Sequence, residues 1–441
     1  MHSPSSPQTG STSKRRDIAA ALIGNTFEWF DFVIYGYFAA ILVEVFFPPE
    51  DGATALLMVM ATFGLGFVAR PLGALAFGLY ADRHGRKRSL VLTIWLMVLG
   101  TAMIGLAPTY AAAGSTGAAM IAVGRLLQGF GASGEYGSAI AFLVEKAPPS
   151  RRNLYASLQM ASAMFAILIA SVVGTSLVKV LSPEELRAWG WRLPFLLGLL
   201  IAPVGYYIRS KVDESADFEA TTRRGTFVPL QELFGKHLRT VIAALCITTM
   251  GTVSFYVAIV YVPTFAVREL HLLPDAPFLS TALAALVLIV VCPLSGHLVD
   301  RKFKLQHLLL IGAVTLAAIS YPLFEWVIAE PSLARLLTTL GLIAVPLGVV
   351  SGLLAPATSQ AFPVAIRSTG LSITYNLPTM LSGFSPLAVT WLVASTQSKA
   401  APALFLVAAA IVGIIGALLL PRRKEEDIHD RSIDIQYTRG R

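Results

Sequence analysis

Five ionisable side chains lie inside long apolar stretches of the sequence, and they are the residues with the clearest capacity for chemistry. They are Glu28, Asp31, Arg70, Arg125 and Glu135. In low-dielectric surroundings an ionisable group costs at least about 2.5 kcal/mol, so each one needs a partner or a water-filled path. An arginine can hold a carboxylate ionised, whereas a carboxylate without such a partner can bind a proton. The set therefore indicates a site for a proton, for an anion, or for both.

The two acids of the first apolar stretch, Glu28 and Asp31, are three residues apart and share a helix face. Asn25 and Tyr35 extend the same face, which predicts one polar stripe along the first helix. A buried polar network that only joins helices would show the same spacing.

Depth along each helix follows from a rise of about 1.5 Å per residue. This arithmetic predicts one layer that contains Asp31 and Glu28 with Arg70 and Glu135. It places Arg125 about 15 Å from Glu135 and toward the outer side. Gln128 lies on the same helix face as Arg125, and Arg125 is expected to bind a carboxylate through its two-pronged guanidinium group.

The elements that position these residues are membrane-spanning helices. Of 441 residues 55% are hydrophobic and 14% are charged, and the mean hydropathy is +0.68, which excludes an ordinary soluble enzyme. A helix crosses the hydrocarbon core with about 20 residues, and the apolar stretches lack the alternation of barrel strands. The predicted spans are 18–45, 54–80, 89–107, 118–143, 154–179, 192–208, 239–265, 278–299, 306–328, 334–359, 369–395 and 402–420.

The distribution of basic residues predicts the orientation of these helices. If both termini are cytoplasmic, 26 of the 34 Lys and Arg residues fall on the cytoplasmic side, as the positive-inside rule requires. The expected location is the inner membrane of the cell. The net charge of +8 then needs no nucleic-acid partner.

A polar stretch in the middle of the chain divides it into six helices plus six. We predict a cytoplasmic N-tail (1–16), a first six-helix bundle (17–208), a cytoplasmic linker (209–238), a second bundle (239–420) and a cytoplasmic C-tail (421–441). A weak repeat supports this division. Asp82 and Glu145 have counterparts at Asp300 and Gln360, at nearly the same offset along the chain.

Several segments resemble the major facilitator superfamily, and more specifically its metabolite:proton symporter family. Gly78 to Arg88 resembles the signature loop between helices two and three. Gly124 to Gly129 resembles the fourth-helix motif. The segments similar to the symporter family are Gly24 to Phe32, Arg70 to Gly73, Gln128 to Gly137 and Trp189 to Phe195. The resemblance implies an all-α integral membrane protein of twelve helices, in two six-helix bundles around a central cavity.

The resemblance also implies a cytoplasmic gate, in which the loop after the second helix acts as a latch. The corresponding loop in the second half lacks the Gly-Arg continuation, so its latch should be the weaker one. Both loops could equally cap helices and follow the positive-inside rule. The gate residues implied by the motifs are Gly78, Asp82, Arg83, Gly85, Arg86, Glu145 and Arg152.

The function expected is proton-coupled import of a small organic anion, a di- or tricarboxylate such as citrate or 2-oxoglutarate, by alternating access. Asp31 is favoured as the proton carrier, with Glu28 and Glu135 as alternatives. Residues of both halves are expected to line the substrate site, and each could instead form a helix–helix hydrogen bond. The substrate-binding candidates are Arg125, Arg70, Gln128, Gln159, Tyr35, Tyr256 and Asn376.

Other functions stay open at this point. A proline/betaine-type zwitterion or a shikimate-like monocarboxylate could be the substrate, and a sensor built on a transporter scaffold is a different class. No phosphate-binding Gly-x-x-x-x-Gly-Lys-Ser/Thr loop and no clustered His/Cys site is found in the sequence. We therefore expect no enzyme activity, no metal, and no cofactor other than the coupling proton. One subunit is expected to be the transport unit.

Overall fold

The structure is a computed structural model that describes residues 9–47, 52–84, 86–134, 140, 142–144, 146–199, 235–362 and 367–421. Every regular element among these residues is a helix. Helices occur at the positions of all twelve predicted spans, and the all-α fold class is confirmed. The predictions for Glu135, Gly85 and Glu145, and for most of the linker, lie outside the described residues.

Six helices, α1 to α6, precede the linker. Short helical turns connect some of them, such as Ala132–Gly134 after α4 and Gly190–Arg192 before α6. The bounds are Thr9–Tyr37 for α1, Gly52–His84 for α2, Arg86–Gly105 for α3, Thr116–Gly131 for α4, Arg152–Val180 for α5 and residues 193–199 for the described part of α6.

Six more helices, α7 to α12, follow the linker. Two of them continue beyond an irregular turn, α7 as far as Arg268 and α11 as far as Thr396. The bounds are Leu238–Phe255 for α7, Ala276–Asp300 for α8, Leu305–Ala329 for α9, Leu333–Ala361 for α10, Arg367–Ser382 for α11 and Ala401–Leu419 for α12.

Most of these helices are long and apolar enough to cross a bilayer. Among the described residues eight meet this requirement, and α1 with its continuation makes a ninth. The apolar helix Val91–Gly105 belongs to α3, whose first turn carries three basic residues. The chain is a multi-pass membrane protein.

Three of the predicted spans are bent or irregular. The chain bends by 60° at Phe38, between α1 and the helix Ala39–Phe46. In α7 a π-helical turn, Tyr256–Tyr261, precedes Pro263, whose missing N–H cannot continue the regular ladder. α11 is interrupted at Gly383 and Phe384. In addition α1 begins at Thr9, within the range 1–16 predicted as the cytoplasmic N-tail.

The two halves meet along α5 and α8. At one end Asp300 of α8 accepts hydrogen bonds from Asn153 and Leu154 at the start of α5. Farther along, the hydroxyls of Ser171 and Thr281 are 3.1 Å apart. The contact between the halves therefore runs over most of the length of these helices.

Candidate functional site

A cavity lies between the two halves, near the middle of the helices. The cavity has about 290 Å³ of empty space, part of which is open to the surroundings, and both halves contribute to its wall, as expected for a transporter built from two bundles. The lining residues are Asn25, Glu28, Trp29, Arg70, Ala132, Ser133, Gln159, Tyr375 and Asn376.

Arg70 brings positive charge to this cavity from α2. Its side chain is only 5% exposed, and its guanidinium carbon lies 4.8 Å from the ring centre of Phe32 and 4.9 Å from that of Phe67. Such cation–π contacts attract the guanidinium to the two rings. The Nε atom has no hydrogen-bond partner among the described residues. Arg70 can therefore bind an anion in the cavity while its stem stays fixed.

A network of amides forms the opposite part of the wall. Asn25 donates through Nδ2 to the backbone oxygen of Gln159, at 2.9 Å, and to Oγ of Ser162, at 2.8 Å. Gln159 donates in return through Nε2 to Oδ1 of Asn25, at 3.2 Å. These bonds join α1 to α5 and fix both amides beside the cavity.

Asp31 belongs to a second polar cluster, enclosed within the first half. Thr101 of α3 donates a hydrogen bond to Oδ2 of Asp31, and Gln128 of α4 donates to the same oxygen at 3.4 Å and to Oγ1 of Thr101 at 2.9 Å. Oδ1 has no partner among the described residues. It faces α6, where a Cβ added to Gly198 would lie 2.3 Å from it.

Arg125 is the cation of this second cluster and is fully buried. Its Nη1 donates to Oε1 of Gln128 at 3.0 Å and to the backbone oxygen of Phe32 at 3.3 Å, while Nη2 donates to the backbone oxygen of Phe63 at 3.3 Å. Gln128 thus bridges Arg125 and Asp31. The three side chains form a chain of charge and hydrogen bonds inside one bundle.

Aromatic rings separate the second cluster from the cavity. The guanidinium carbon of Arg125 lies 4.2 Å from the ring centre of Phe32, 4.9 Å from that of Tyr35 and 5.0 Å from that of Phe63. Tyr256 of α7 packs edge-on against Phe63. Because Phe32 also contacts Arg70, its ring is shared by the cations of the two clusters.

The structure divides the predicted site residues into two groups. Arg70, Gln159 and Asn376, together with Glu28, line the cavity. The other predicted substrate-binding residues belong to the second cluster or to the aromatic rings that separate it from the cavity. Asp31 also belongs to the second cluster. Those residues are Arg125, Gln128, Tyr35 and Tyr256.

The predicted layer of Asp31 with Arg70, remote from Arg125, is therefore wrong. The prediction takes the first helix as straight and centred on Asp31, but the bend at Phe38 puts Asp31 near the C-terminal end of α1, where Gln128 links it to Arg125. The single polar stripe is also corrected. Glu28 lines the cavity whereas Asp31 turns toward α3, α4 and α6.

Asp300 makes the gate contact that the structure describes most completely. Its carboxylate accepts from the backbone and side-chain nitrogens of Asn153, at 3.2 and 2.8 Å, and from the backbone nitrogen of Leu154, at 2.9 Å. Gln360, the counterpart of Glu145, also donates to Asn153. The ends of α8 and α10 therefore contact the start of α5, and their role as a latch stays a prediction.

The predicted gate residues of the first half lie at helix ends. Gly78, Asp82 and Arg83 belong to the last turns of α2, and Arg86 begins α3; their side-chain positions lie outside the described part. Arg152 begins α5 and is exposed. Whether the first latch is the stronger one stays a prediction.

Sequence reasoning missed several residues that complete the two clusters. Thr101 is an isolated hydroxyl in an apolar helix, a pattern more often explained by a bond within its own helix. Trp29 and Tyr375 are next to the predicted site residues Glu28 and Asn376. An aromatic side chain in an apolar helix does not by itself indicate a binding site. The described residues contain no group of three His, Cys, Asp or Glu side chains arranged for a metal.

The chain is similar to known transport proteins over nearly its whole length. A citrate-proton symporter of Klebsiella pneumoniae is 35% identical over 404 residues, which are 91% of this chain and 90% of the relative. A proline/betaine transporter of Salmonella typhimurium is 30% identical, over 91% of this chain and 82% of the relative.

A solved structure supports the fold independently. The crystal structure of a D-xylose-proton symporter superposes with a TM-score of 0.73 at 19% identity, over 90% of this chain and 96% of that one. At that identity the likeness concerns the fold alone. The Major Facilitator Superfamily matches residues 21–377, and the chain belongs to that family of membrane transporters.

Proposed function

We propose that this protein is a proton-coupled symporter that imports a small di- or tricarboxylate by alternating access. The observation that carries the proposal is the pair of clusters. Arg70 offers a buried cation to a cavity between the halves, and one aromatic ring away Asp31 keeps an unpartnered carboxylate oxygen beside Arg125. The similarity to a citrate-proton symporter supports the same substrate class.

The proposed mechanism uses Asp31 as the proton site. A proton on its free oxygen Oδ1 removes a charge that has little compensation in low-dielectric surroundings. After that proton is lost, the carboxylate is stabilised by the hydrogen bond from Gln128 and, through Gln128, by the positive charge of Arg125. Arg125 and Arg70 both contact the Phe32 ring. A movement of Arg125 can therefore displace Arg70, which lines the cavity.

The wider setting follows from the same proposal. The coupling ion is a proton and no other cofactor is required. The protein works as a monomer in the inner membrane with both termini in the cytoplasm, and contacts at both ends of α5 and α8 break alternately as the halves rock. The division into bundles 17–208 and 239–420, joined by the linker 209–238, describes the rocking units.

Replacing Asp31 by asparagine tests the proton site. In proteoliposomes that contain the purified protein, Asp31→Asn should abolish accumulation of labelled citrate driven by an imposed pH gradient, yet keep exchange of internal for external citrate. Asparagine fills the same space but cannot release a proton. Glu44→Gln is the matched control, since Glu44 is exposed at the end of the same span.

Two outcomes would change the assignment. Accumulation by Asp31→Asn at the wild-type level would exclude Asp31 as the carrier. If Glu28→Gln instead uncouples transport while Asp31→Asn does not, the proton site is the cavity carboxylate Glu28. Glu135→Gln should be measured in the same accumulation assay.

A zwitterionic substrate is the second candidate, and the cavity wall gives a specific reason for it. Trp29, Tyr375 and Glu28 line the cavity, and aromatic faces with a carboxylate bind quaternary ammonium groups. The similarity to a proline/betaine transporter agrees with this. Stronger competition by glycine betaine than by any carboxylate in the same uptake assay would favour it.

A further inference from the structure

Two amides in the cavity wall have a fixed orientation because of what surrounds them. Nδ2 of Asn25 donates to the backbone oxygen of Gln159, at 2.9 Å. A backbone oxygen can only accept, so the nitrogen of this amide must be on that side. Oδ1 of Asn25 is then the atom that faces the Gln159 side chain.

The orientation of Asn25 determines that of Gln159. Since Oδ1 of Asn25 can only accept, Gln159 must present Nε2 to it, at 3.2 Å. The remaining atom, Oε1 of Gln159, is an acceptor. It is buried and has no hydrogen-bond partner among the described residues, and the side chain is 1% exposed.

A buried acceptor without a donor is unfavourable, and in a binding cavity it selects for a ligand that supplies the donor. The wall of the same cavity carries Arg70, whose Nε also has no partner among the described residues. A ligand that satisfies both atoms has an ionised carboxylate and a hydrogen-bond donor, and in a small organic anion that donor is an O–H group.

We propose that the substrate is a hydroxylated carboxylate, whose hydroxyl donates to Oε1 of Gln159 while a carboxylate binds Arg70. This rests on the proposed function and narrows its substrate class. Citrate and malate carry both groups. 2-Oxoglutarate and succinate lack the alcohol, and glycine betaine has no donor at all.

Pairs of compounds that differ by one hydroxyl test the proposal directly. Citrate is compared with tricarballylate, and malate with succinate, by the concentration of each that stabilises the purified full-length protein against thermal unfolding. The measurement is made at about pH 8, where the carboxyl groups are largely ionised and the alcohol is the main O–H donor. We expect the hydroxylated member of each pair to bind about tenfold or more tightly.

Two variants assign the effect to Gln159. Gln159→Leu keeps a similar volume but has no acceptor, so the preference for the hydroxylated compounds should fall to about onefold. Ser162→Ala is the matched control, because it removes a partner of Asn25 and leaves Oε1 of Gln159 in place. It should keep the preference.

Each outcome decides between the two proposals. Equal binding within the pairs, with citrate still accumulated under a pH gradient, overturns the hydroxyl inference and leaves the proposed function intact. A hydroxyl preference without gradient-driven accumulation supports the inference and contradicts proton coupling. If none of the four compounds binds, both are wrong. The comparison of compounds on the wild-type protein stands even if Gln159→Leu fails to fold.

Discussion

Arg70 and Arg125 contact the same phenyl ring, yet their surroundings give them different tasks. Arg70 lines the cavity and keeps one nitrogen without a partner among the described residues. The Nη atoms of Arg125 donate hydrogen bonds to Gln128 and to two backbone oxygens. We infer that Arg70 binds substrate and that Arg125 acts on it only through Gln128 and Phe32.

Lysine substitution separates these two roles, since lysine keeps the charge but lacks the planar fork. Arg125→Lys should lower the rate of proton-driven citrate uptake by about tenfold or more, because three fixed donor bonds are lost, with KM within about threefold of wild type. Arg70→Lys should instead raise KM by about tenfold. Both follow from initial rates in proteoliposomes.

An equal rise in KM for both variants would contradict this division. It would restore the sequence-based expectation that Arg125 contacts the substrate itself.

At the scale of the element, the packing of α2 against α4 fixes where the two clusters meet. A Cβ on Gly129 would lie 1.5 Å from the backbone oxygen of Gly66, so the two helices touch backbone to backbone. Such close approach by small residues is a main source of helix association in membranes. It brings Gln128 and Arg125, which precede Gly129 on α4, against α1 and α2.

Gly129→Ala should therefore destabilise the protein by about 3 kcal/mol, because the helices must separate to admit one methyl group. The measurement is thermal unfolding in detergent. Gly251→Ala in α7 is the control, since its nearest neighbour, Leu354, would be 3.6 Å away and alanine favours a helix by about 0.5 kcal/mol or more. A Gly129→Ala protein as stable as Gly251→Ala would show that the α2–α4 contact is not so close.

At the scale of the whole molecule, contacts between the halves lie on both sides of the cavity. Asp300 and Gln360 bind the start of α5 on the side predicted to be cytoplasmic. On the other side Tyr37 and Phe38 pack against Phe278. The halves thus contact each other at both ends of the cavity, and these are the contacts that alternating access must break in turn.

The orientation can be checked with single cysteines. In a background with Cys246 and Cys292 replaced, Gln397→Cys, between α11 and α12, should react with a membrane-impermeant maleimide in intact cells. Lys304→Cys, between α8 and α9, should react only after the membrane is opened, because the positive-inside rule puts its loop in the cytoplasm. Both positions are exposed. The reverse pattern would invert the proposed topology.

The sequence by itself determined the helices and the residues worth attention. The twelve apolar stretches had to become helices, because only helices and closed barrels satisfy a backbone in lipid and these stretches lack the alternation of barrel strands. Where the described residues include the end of a predicted span, the observed end differs by a few residues, apart from the start of α1, if the continuations of α1, α7 and α11 are included. Ionisable residues in those stretches had to lie in polar sites, since a charged side chain without a partner is unfavourable in the hydrocarbon core. Periodicity indicated the shared faces of Arg125 with Gln128.

Only the tertiary structure decided which of these residues meet. Asp31 joins Arg125 rather than Arg70 because the chain bends at Phe38 and because Thr101 and Gly198, on two other helices, shape its surroundings. The free acceptor of Gln159 likewise depends on the orientation of Asn25. The depth of each residue and the partner it contacts depend on packing between helices far apart in sequence. The helical periodicity of a single segment cannot predict that packing.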